Sequence, residues 1–292
     1  MADFLQLVIA GVATGAIYAL AAIGFTLLWQ TSQTINFAQG EFVMLPAFFA
    51  LVGMKTLGLP VSVSALLAIT LAMLLLGVVF KKAIVDPLIR QGVIPLVIST
   101  IAVGLLLKEG IKEVYSAEAQ PFPTLLPDRI IEIVGVRISL AQLGVLAVAV
   151  ATIVALQWFL AGTRTGRQMQ ATAQNPTVAR ILGVPVERMV LYTFLINAAL
   201  AAIASILISP IYLVKFSNGE ILGLTAFVAA IVGGFNQVRG AIAGGLLVGV
   251  IDNLAAAYVS ASYRQAVPLA LLVLVILFRP QGLLGRREER TV

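Results

Sequence analysis

Asn36–Phe42, with the sequence NFAQGEF, is a polar stretch in a part of the chain that is otherwise apolar enough for the interior of a membrane. An acidic side chain such as Glu41 costs roughly 3 kcal/mol at the centre of a bilayer. Flexible backbone that contains glycine is tolerated at that depth only where it is buried in protein or lines a cavity. The stretch therefore predicts one of two things, a short loop at the membrane edge or part of a polar pathway.

The whole chain has the composition of a membrane protein. Of its 292 residues, 60% are hydrophobic and 11% are charged, whereas soluble domains carry about 25% charged residues. The apolar runs are long and lack the alternation of a membrane β-barrel, so they predict helices. Once these runs are set aside, nothing that resembles a soluble domain remains. Residues 1–292 are therefore predicted to form a single, all-α transmembrane domain.

Two residue types that dominate enzyme sites are missing from the sequence. The chain has no cysteine and no histidine, which excludes disulfides, thiol catalysis, and metal or haem sites that depend on these ligands. It also lacks the phosphate-binding pattern GxxxxGK[ST], so the chain is not expected to hydrolyse ATP. We expect a protein that is not an enzyme and that needs no cofactor or metal.

About nine apolar segments, some short or broken by proline, are predicted to span the membrane as helices: Phe4–Trp29, Glu41–Leu57, Val61–Phe80, Val93–Leu107, Ser139–Leu160, Met189–Val214, Glu220–Phe235, Ala241–Val259 and Pro268–Phe278. Basic loops favour the cytoplasm, which assigns Lys81–Arg90, Arg164–Arg188 and the tail Arg279–Arg290 to that side and Lys108–Arg137 to the outside. The C-terminus is then cytoplasmic and the N-terminus lies outside. If Glu41–Leu57 is re-entrant, the count falls by one and the N-terminus moves inside.

A second copy of the opening stretch follows 179 residues later. Phe37–Glu41 recurs as Phe216–Glu220, each time after a long apolar span and before a short or broken one. Five predicted crossings separate the copies, so they run in opposite directions and predict an inverted repeat, with halves at about 4–108 and 189–279 joined by the span 139–161. Paired interruptions of this kind point to the substrate path of transporters. The two breaks are expected on opposite sides of the membrane around a central path; the alternative is two unrelated polar turns.

Six polar residues are candidates for lining that path: Asn36, Gln39, Glu41, Asn218, Glu220 and Asp252. The two glutamates either line the path or lie at helix N-termini, where the helix dipole favours an acid. Asp252, beside Asn253 inside a span, needs a partner or a polar cavity, and it is interpreted either as a structural polar clamp or as a transport residue.

Glycines spaced four residues apart predict close contacts between helices. The pairs are Gly11 with Gly15, Gly240 with Gly244, and Gly245 with Gly249.

Residues 162–188 form the largest predicted cytoplasmic loop. Asn175–Pro176 is typical of a turn followed by the first position of a helix, and Gly183 is typical of a helix end, so the loop predicts two short helices. Its arginines are Arg164, Arg167, Arg180 and Arg188. With no catalytic pattern beside them, they indicate a docking surface; the alternative is that they anchor the loop at anionic lipid.

Four stretches of the chain resemble the permease subunits of branched-chain amino acid ABC importers, the LivH type. They are GVATGAIYALAAIGFTLLWQTSQTINFAQGEFVML at 11–45, RTGRQMQATAQNPTVARILGV at 164–184, LTAFVAAIVGGFNQVRGAIAGGLLVG at 224–249 and LFRPQGLLG at 277–285. The family more usually has histidine where this chain has Gln39, so a role of that histidine does not carry over.

The resemblance implies a multi-pass permease of the bacterial inner membrane that imports small polar solutes, above all branched-chain amino acids. It implies as partners a second, homologous permease (the LivM type), two cytoplasmic ATP-binding subunits and a periplasmic solute-binding protein. It also implies that the loop Arg164–Arg188 couples the permease to the ATPases. Urea, short amides or aromatic acids are alternative solutes, and an ion-coupled secondary transporter is the alternative from another class.

Overall fold

The computed structural model describes residues 2–115, 117–124, 129–133, 136–260, 263 and 266–285. Within these residues the chain is predominantly helical, with one small β-hairpin. The helices are α1 (Ala2–Ser32), α2 (Gln39–Lys55), α3 (Val61–Leu88, with π-helical turns at Met73–Val79 and Lys81–Val85), α4 (Val93–Val114), α5 (Leu140–Gly162), α6 (Arg164–Gln174), α7 (Pro176–Ile181), α8 (Val186–Tyr212), α9 (Asn218–Gly233), α10 (Val238–Tyr258) and α11 (Ala266–Phe278).

Each of the nine predicted apolar segments lies on a helix. Six helices of the described chain, α1, α3, α4, α5, α8 and α10, are long and apolar enough to cross a membrane, and α9 and α11 are shorter apolar helices. The remaining segment is α2, which has 17 residues and contains Pro46. The chain is therefore an all-α, multi-pass membrane protein.

Two predicted boundaries are wrong, and in both cases a lysine is the reason. The sequence predicts a basic loop at Lys81–Arg90, but α3 continues to Leu88, and Lys81 is buried with its ammonium 2.9 Å from the Asp86 carboxylate. The wider π-helical turns bring residues five apart onto one face. The predicted external segment that begins at Lys108 likewise starts too early, because α4 runs on to Val114.

Glycine faces hold the centre of the fold together, as predicted. A Cβ added at Gly15 in α1 would lie 2.8 Å from the carbonyl oxygen of Gly245 in α10, and one at Gly240 would lie 2.7 Å from the carbonyl oxygen of Gly233 in α9. Such distances are too short for any side chain. The glycine pairs therefore let the helix backbones touch. Close contact increases the van der Waals attraction between helices, which matters in lipid because the hydrophobic effect does not drive helices together there.

The long helices α1 and α8 each pack on the third helix of the other half of the chain. α1 runs antiparallel to α10, with Gly11 against Val250 and Gly15 against Leu246. α8 packs on α3, where a Cβ at Gly77 would lie 3.2 Å from the Cα of Leu195. The two halves are therefore interlocked around α1, α2 and α8, which are the most buried part of the described chain.

A small hairpin precedes α5. Strands β1 (Ile130–Ile133) and β2 (Val136–Ser139) pair antiparallel, with Ile131 opposite Ile138. Ser139 then starts α5, since its hydroxyl accepts a hydrogen bond from the Ala141 amide at 3.2 Å. Part of the predicted external segment, including Pro127, lies outside the described residues, as do the arginines at 286, 287 and 290 of the expected cytoplasmic tail.

Candidate functional site

The two polar interruptions have the same local structure. α1 ends before Gln33 and α8 ends before Leu213, and both of these residues have positive φ angles, 52° and 61°. A positive φ is strained for a residue other than glycine and turns the chain sharply at the end of a helix. A short irregular stretch then leads into α2 in one case and into α9 in the other.

Helix α2 begins inside the helix bundle. The Gln39 amide exchanges two hydrogen bonds, of 2.7 and 2.8 Å, with the Asn197 amide of α8, and this pair packs against Gly24 of α1. Gly24 lies eight residues before the end of α1, so α2 starts about 12 Å inside that end. The pair satisfies a fully buried carboxamide, which explains how Gln39 is tolerated at this depth.

Asn36 and Asn197 have structural roles that can be read directly from their contacts. The Asn36 Oδ1 accepts a hydrogen bond from the Ala38 amide at 3.0 Å, which shapes the turn before α2. Asn197 has no place among the candidates from the sequence, although a lone asparagine in the long apolar run of α8 is the signal that could have identified it.

The N-termini of α2 and α9 meet. Gly40 and Gly219 are in backbone contact, and a Cβ added at Gly223 would lie 2.6 Å from the Cα of Gly40. Phe37 lies beside Phe227, with ring centroids 6.3 Å apart, while the next turns of α2 approach the first residue of α9. The helices are therefore antiparallel. The expectation that the two breaks lie on opposite sides of the membrane is wrong, because residues in contact cannot be a bilayer apart.

A cavity of about 400 Å³ lies where these helix starts meet α4. Its lining is mostly apolar, with three charged side chains: Phe25, Phe37, Gly40, Glu41, Ile101, Gly104, Leu105, Lys108, Gly219, Glu220, Gly223, Leu224 and Phe227. The volume falls within the range of about 300–1,000 Å³ that is usual for small-molecule sites. An apolar cavity with a few convergent charges is the form expected of a site for an amphiphilic solute.

The three charges form one cluster. The Lys108 ammonium lies 2.7 Å from the Glu220 Oε2, and Glu220 is largely exposed. Glu41 is 7% exposed, and its Oε2 has no hydrogen-bond partner among the described residues. Lys108 is a second residue, after Asn197, that sequence reasoning missed, since its partner lies 112 residues away and no local pattern links the two.

Four of the six candidate pathway residues lie outside the lining of this cavity, namely Asn36, Gln39, Asn218 and Asp252. The Asn218 amide donates to the Leu213 carbonyl at 2.6 Å and closes the turn before α9. The Asp252 carboxylate accepts a hydrogen bond from the Tyr18 hydroxyl at 3.1 Å, and the Asn253 amide donates to the Thr14 hydroxyl at 2.8 Å. These contacts tie α10 to α1, so of the two interpretations of Asp252 they favour the polar clamp.

The loop at 162–188 forms two short helices, as predicted. The Asn175 side chain accepts hydrogen bonds of 3.0 Å from the Thr177 and Val178 amides and so caps α7, and Gly183 has a φ of 81°. The five candidate residues of this loop, Arg164, Arg167, Arg180, Gly183 and Arg188, are all exposed. In the same loop Ile181 and Leu182 are 80% and 75% exposed. The prediction of a docking surface from the sequence rested on the arginines and did not include these two apolar residues.

Comparison with known proteins finds relatives along nearly the whole chain. A family profile described as "Branched-chain amino acid transport system / permease component" matches residues 7–276. The chain is 33% identical to the high-affinity branched-chain amino acid transport system permease protein BraD of Pseudomonas aeruginosa, over 99% of this chain and 98% of the relative. It is 31% identical to the permease protein LivH of Escherichia coli with the same coverage. A probable LivH permease of Methanocaldococcus jannaschii is 26% identical over 91% of this chain and 88% of the relative. No solved structure gives a significant match.

Proposed function

Because the chain belongs to the family of permease components of branched-chain amino acid transport systems, we propose that it is the membrane permease of an ATP-driven importer of branched-chain amino acids. The observation that carries the proposal is the meeting of two interrupted helices at a charged cavity, in a chain that matches such permeases along nearly its full length.

The translocation path in this proposal runs through the cavity. The positive N-terminal ends of α2 and α9 converge there, a feature that transporters use to receive ionised groups of a solute. Glu41 and Glu220 line the path. Asn36 and Gln39 hold the start of α2 in place, and Asn218 does the same for α9.

A second, homologous permease would close the open side of this path. The face of α4 beside the cavity carries Ile101 and Leu105, which are 44% and 56% exposed, and Leu224 of α9 is 46% exposed. Lipid covers such faces in a single subunit. In the assembly we propose, the partner permease covers the part that borders the cavity, so that the solute crosses between two protein surfaces.

Nine spans and an inverted repeat form the architecture of this proposal. Three features support the repeat: the matching strained ends of α1 and α8, the antiparallel contact of α2 with α9, and the reciprocal packing of α1 on α10 and α8 on α3. Contacts at the two ends of residues 33–55 support the proposal that this segment crosses the membrane, because they lie at opposite ends of the helix bundle. The Gln30 amide bonds the Asn236 carbonyl at one end of the bundle, and the Lys55 ammonium bonds Gln120 at the other.

The proposed sidedness has the N-terminus outside and the loop 162–188 in the cytoplasm. The absence of cysteine from the chain makes a direct test simple. Asp3→Cys should react with an impermeant maleimide in spheroplasts, whereas Thr177→Cys should react only after permeabilisation. Labelling of both positions only after permeabilisation would contradict nine spans and favour eight.

ATP hydrolysis in this proposal is the work of two cytoplasmic partner subunits. We infer that they dock on α6, α7 and the turn after α7, which carry exposed arginines and the exposed Ile181 and Leu182, and that their closure moves this loop and rocks the two permeases. A periplasmic binding protein delivers the solute to the outer mouth. An exposed apolar patch on a cytoplasmic loop favours protein docking over anchoring to lipid headgroups alone.

The proposed function is tested by reconstituting the assembly in proteoliposomes. With the binding protein outside the liposomes and ATP enclosed inside them, the assembly should accumulate radiolabelled leucine. Replacement of ATP by a non-hydrolysable analogue should abolish uptake. The control is the isolated chain under a proton or sodium gradient, which should accumulate nothing. Accumulation in that control would overturn the ATP-driven importer and favour a secondary transporter.

A further inference from the structure

We propose that the cavity between α2, α4 and α9 is itself a binding site for a zwitterionic amino acid, in which Lys108 receives the carboxylate and Glu41 receives the ammonium group. The inference rests on the proposed function, since it concerns how the permease recognises the solute that passes through it. It assigns part of the specificity to the permease, beyond what a binding protein selects.

Lys108 is placed to bind a carboxylate. It lies one turn from Gly104 on the face of α4 that lines the cavity, with its ammonium 2.7 Å from Glu220. An ammonium group has three N–H donors. Among the described residues, the Lys108 ammonium donates one hydrogen bond, to Glu220. The remaining donors can therefore reach a carboxylate oxygen while the ion pair stays in place.

Glu41 is placed to bind an ammonium group. Its carboxylate lies directly over Gly219, where a Cβ would collide with it, so the glycine makes room for the acid at the wall of the cavity. The Glu41 Oε2 is buried and has no partner among the described residues. A buried carboxylate oxygen without a hydrogen-bond partner is costly, and the ammonium group of a solute can supply the donor that this oxygen lacks.

The net charge of the cluster selects the class of solute. With the three side chains ionised, two glutamates face one lysine, so the cavity carries one excess negative charge. A solute with only a carboxylate would add a like charge to this cluster, whereas a zwitterion adds none. The repulsion between like charges at this distance disfavours the anion. The net charge therefore disfavours an anion, and the added contact of a carboxylate with Lys108 places a zwitterion ahead of a simple cation.

The rest of the cavity suits an aliphatic side chain. Three phenylalanines and three aliphatic side chains line it: Phe25, Phe37, Phe227, Ile101, Leu105 and Leu224. Burial of a branched aliphatic group against these side chains is favoured by the hydrophobic effect. Charges at one part of the cavity and an apolar surface over the rest match a leucine, isoleucine or valine better than urea or a short amide.

The test is equilibrium binding of radiolabelled leucine to the permease–ATPase assembly in nanodiscs, without the binding protein. Wild type should bind leucine saturably. 3-Methylbutylamine, which lacks the carboxylate, should compete less well, and 4-methylpentanoate, which lacks the ammonium group, should compete least. Lys108→Gln should raise the Kd for leucine about tenfold, as expected for the loss of a charge-assisted hydrogen bond. It should not raise the Kd for 3-methylbutylamine, which has no carboxylate for the lysine to bind. Lys108→Arg should restore leucine binding.

The matched control is Lys112→Gln, one turn further along α4. Lys112 pairs with Glu109 at 3.0 Å and lies outside the cavity lining, so its loss should leave both constants unchanged. The inference is overturned if wild type shows no saturable leucine binding while ATP-driven uptake persists, or if 4-methylpentanoate competes as well as leucine. The competition series needs no variant, so it decides the matter even if Lys108→Gln does not assemble. Absence of leucine uptake by the complete assembly would instead overturn the proposed function, and this inference with it.

Discussion

Gly223→Ala tests the contact on which the site depends, the crossing of α2 and α9. The added Cβ would lie 2.6 Å from the Cα of Gly40 and 3.0 Å from its amide nitrogen. Ordinary van der Waals contact begins at about 3.4 Å, so the helices must move apart by about 0.8 Å. Both sides of the contact are backbone, which leaves no flexible side chain to absorb the shift.

The expected cost follows from two opposing effects. Overpacking of a tight contact costs about 1–3 kcal/mol, while replacement of glycine by alanine within a helix returns up to about 1 kcal/mol. We expect a net loss of about 1–2 kcal/mol, which lowers the melting temperature of a chain of this size by roughly 2–6 °C. Because the shift also moves Gly219 away from Glu41, uptake per folded assembly should fall as well.

The assay is thermal unfolding of the purified protein in detergent, followed by uptake in proteoliposomes. Gly110→Ala in α4 is the matched control, since a Cβ there meets nothing within 4 Å, and it should be neutral or slightly stabilising. If Gly223→Ala melts at the same temperature as Gly110→Ala and transports normally, then α2 and α9 do not cross as closely as described.

Three further predictions concern other parts of the fold. Asn197→Ala leaves the buried Gln39 amide without its two hydrogen bonds, so it should destabilise the protein by about 2–4 kcal/mol in the same melting assay, and the double variant Gln39→Ala with Asn197→Ala should cost less than the sum of the single changes. Tyr18→Phe removes the hydrogen bond to Asp252 and should cost about 1 kcal/mol without changing uptake per folded assembly; a selective loss of uptake would contradict a purely structural clamp. Replacement of Ile181 and Leu182 by serine, or of Arg167 and Arg180 by glutamate, should reduce co-purification of the ATP-binding subunits and ATP-driven uptake together, while unchanged values of both would refute docking at this loop.

The helices could be predicted from the sequence because their signal is composition. A long apolar run spans a membrane whatever it packs against, and glycines four residues apart report a close helix contact by themselves. The predicted helix ends were wrong where a charged residue was taken as the end of a membrane span. Lys81 and Lys108 belong to helices because Asp86 and Glu220 neutralise them, and the second of these partners is distant in sequence.

Two residues of the site were predicted from the sequence, but the depth of the helix breaks within the membrane was not. Glu41 and Glu220 stood out as acids in apolar surroundings, and they do share one cavity. The depth at which α2 begins depends on how far the six residues 33–38 carry the chain back into the bundle. Hydropathy does not report that distance. For the same reason Asp252 looked equivalent to the glutamates, although its partner is Tyr18 on a neighbouring helix.

The reciprocal packing of α1 on α10 and of α8 on α3 has a consequence for synthesis of the protein. The glycine face of α1 at Gly11 and Gly15 meets its partner only when Gly245 and Gly249 have been made, about 230 residues later along the chain. At roughly 5–20 residues per second, the first helix waits on the order of 10–50 seconds for that contact. The N-terminal half should therefore stay loosely packed in the bilayer and remain a substrate for membrane quality-control proteases until α10 inserts. Pulse–chase experiments on chains that stop before Val238 should show rapid degradation, which co-expression of the missing C-terminal part would slow.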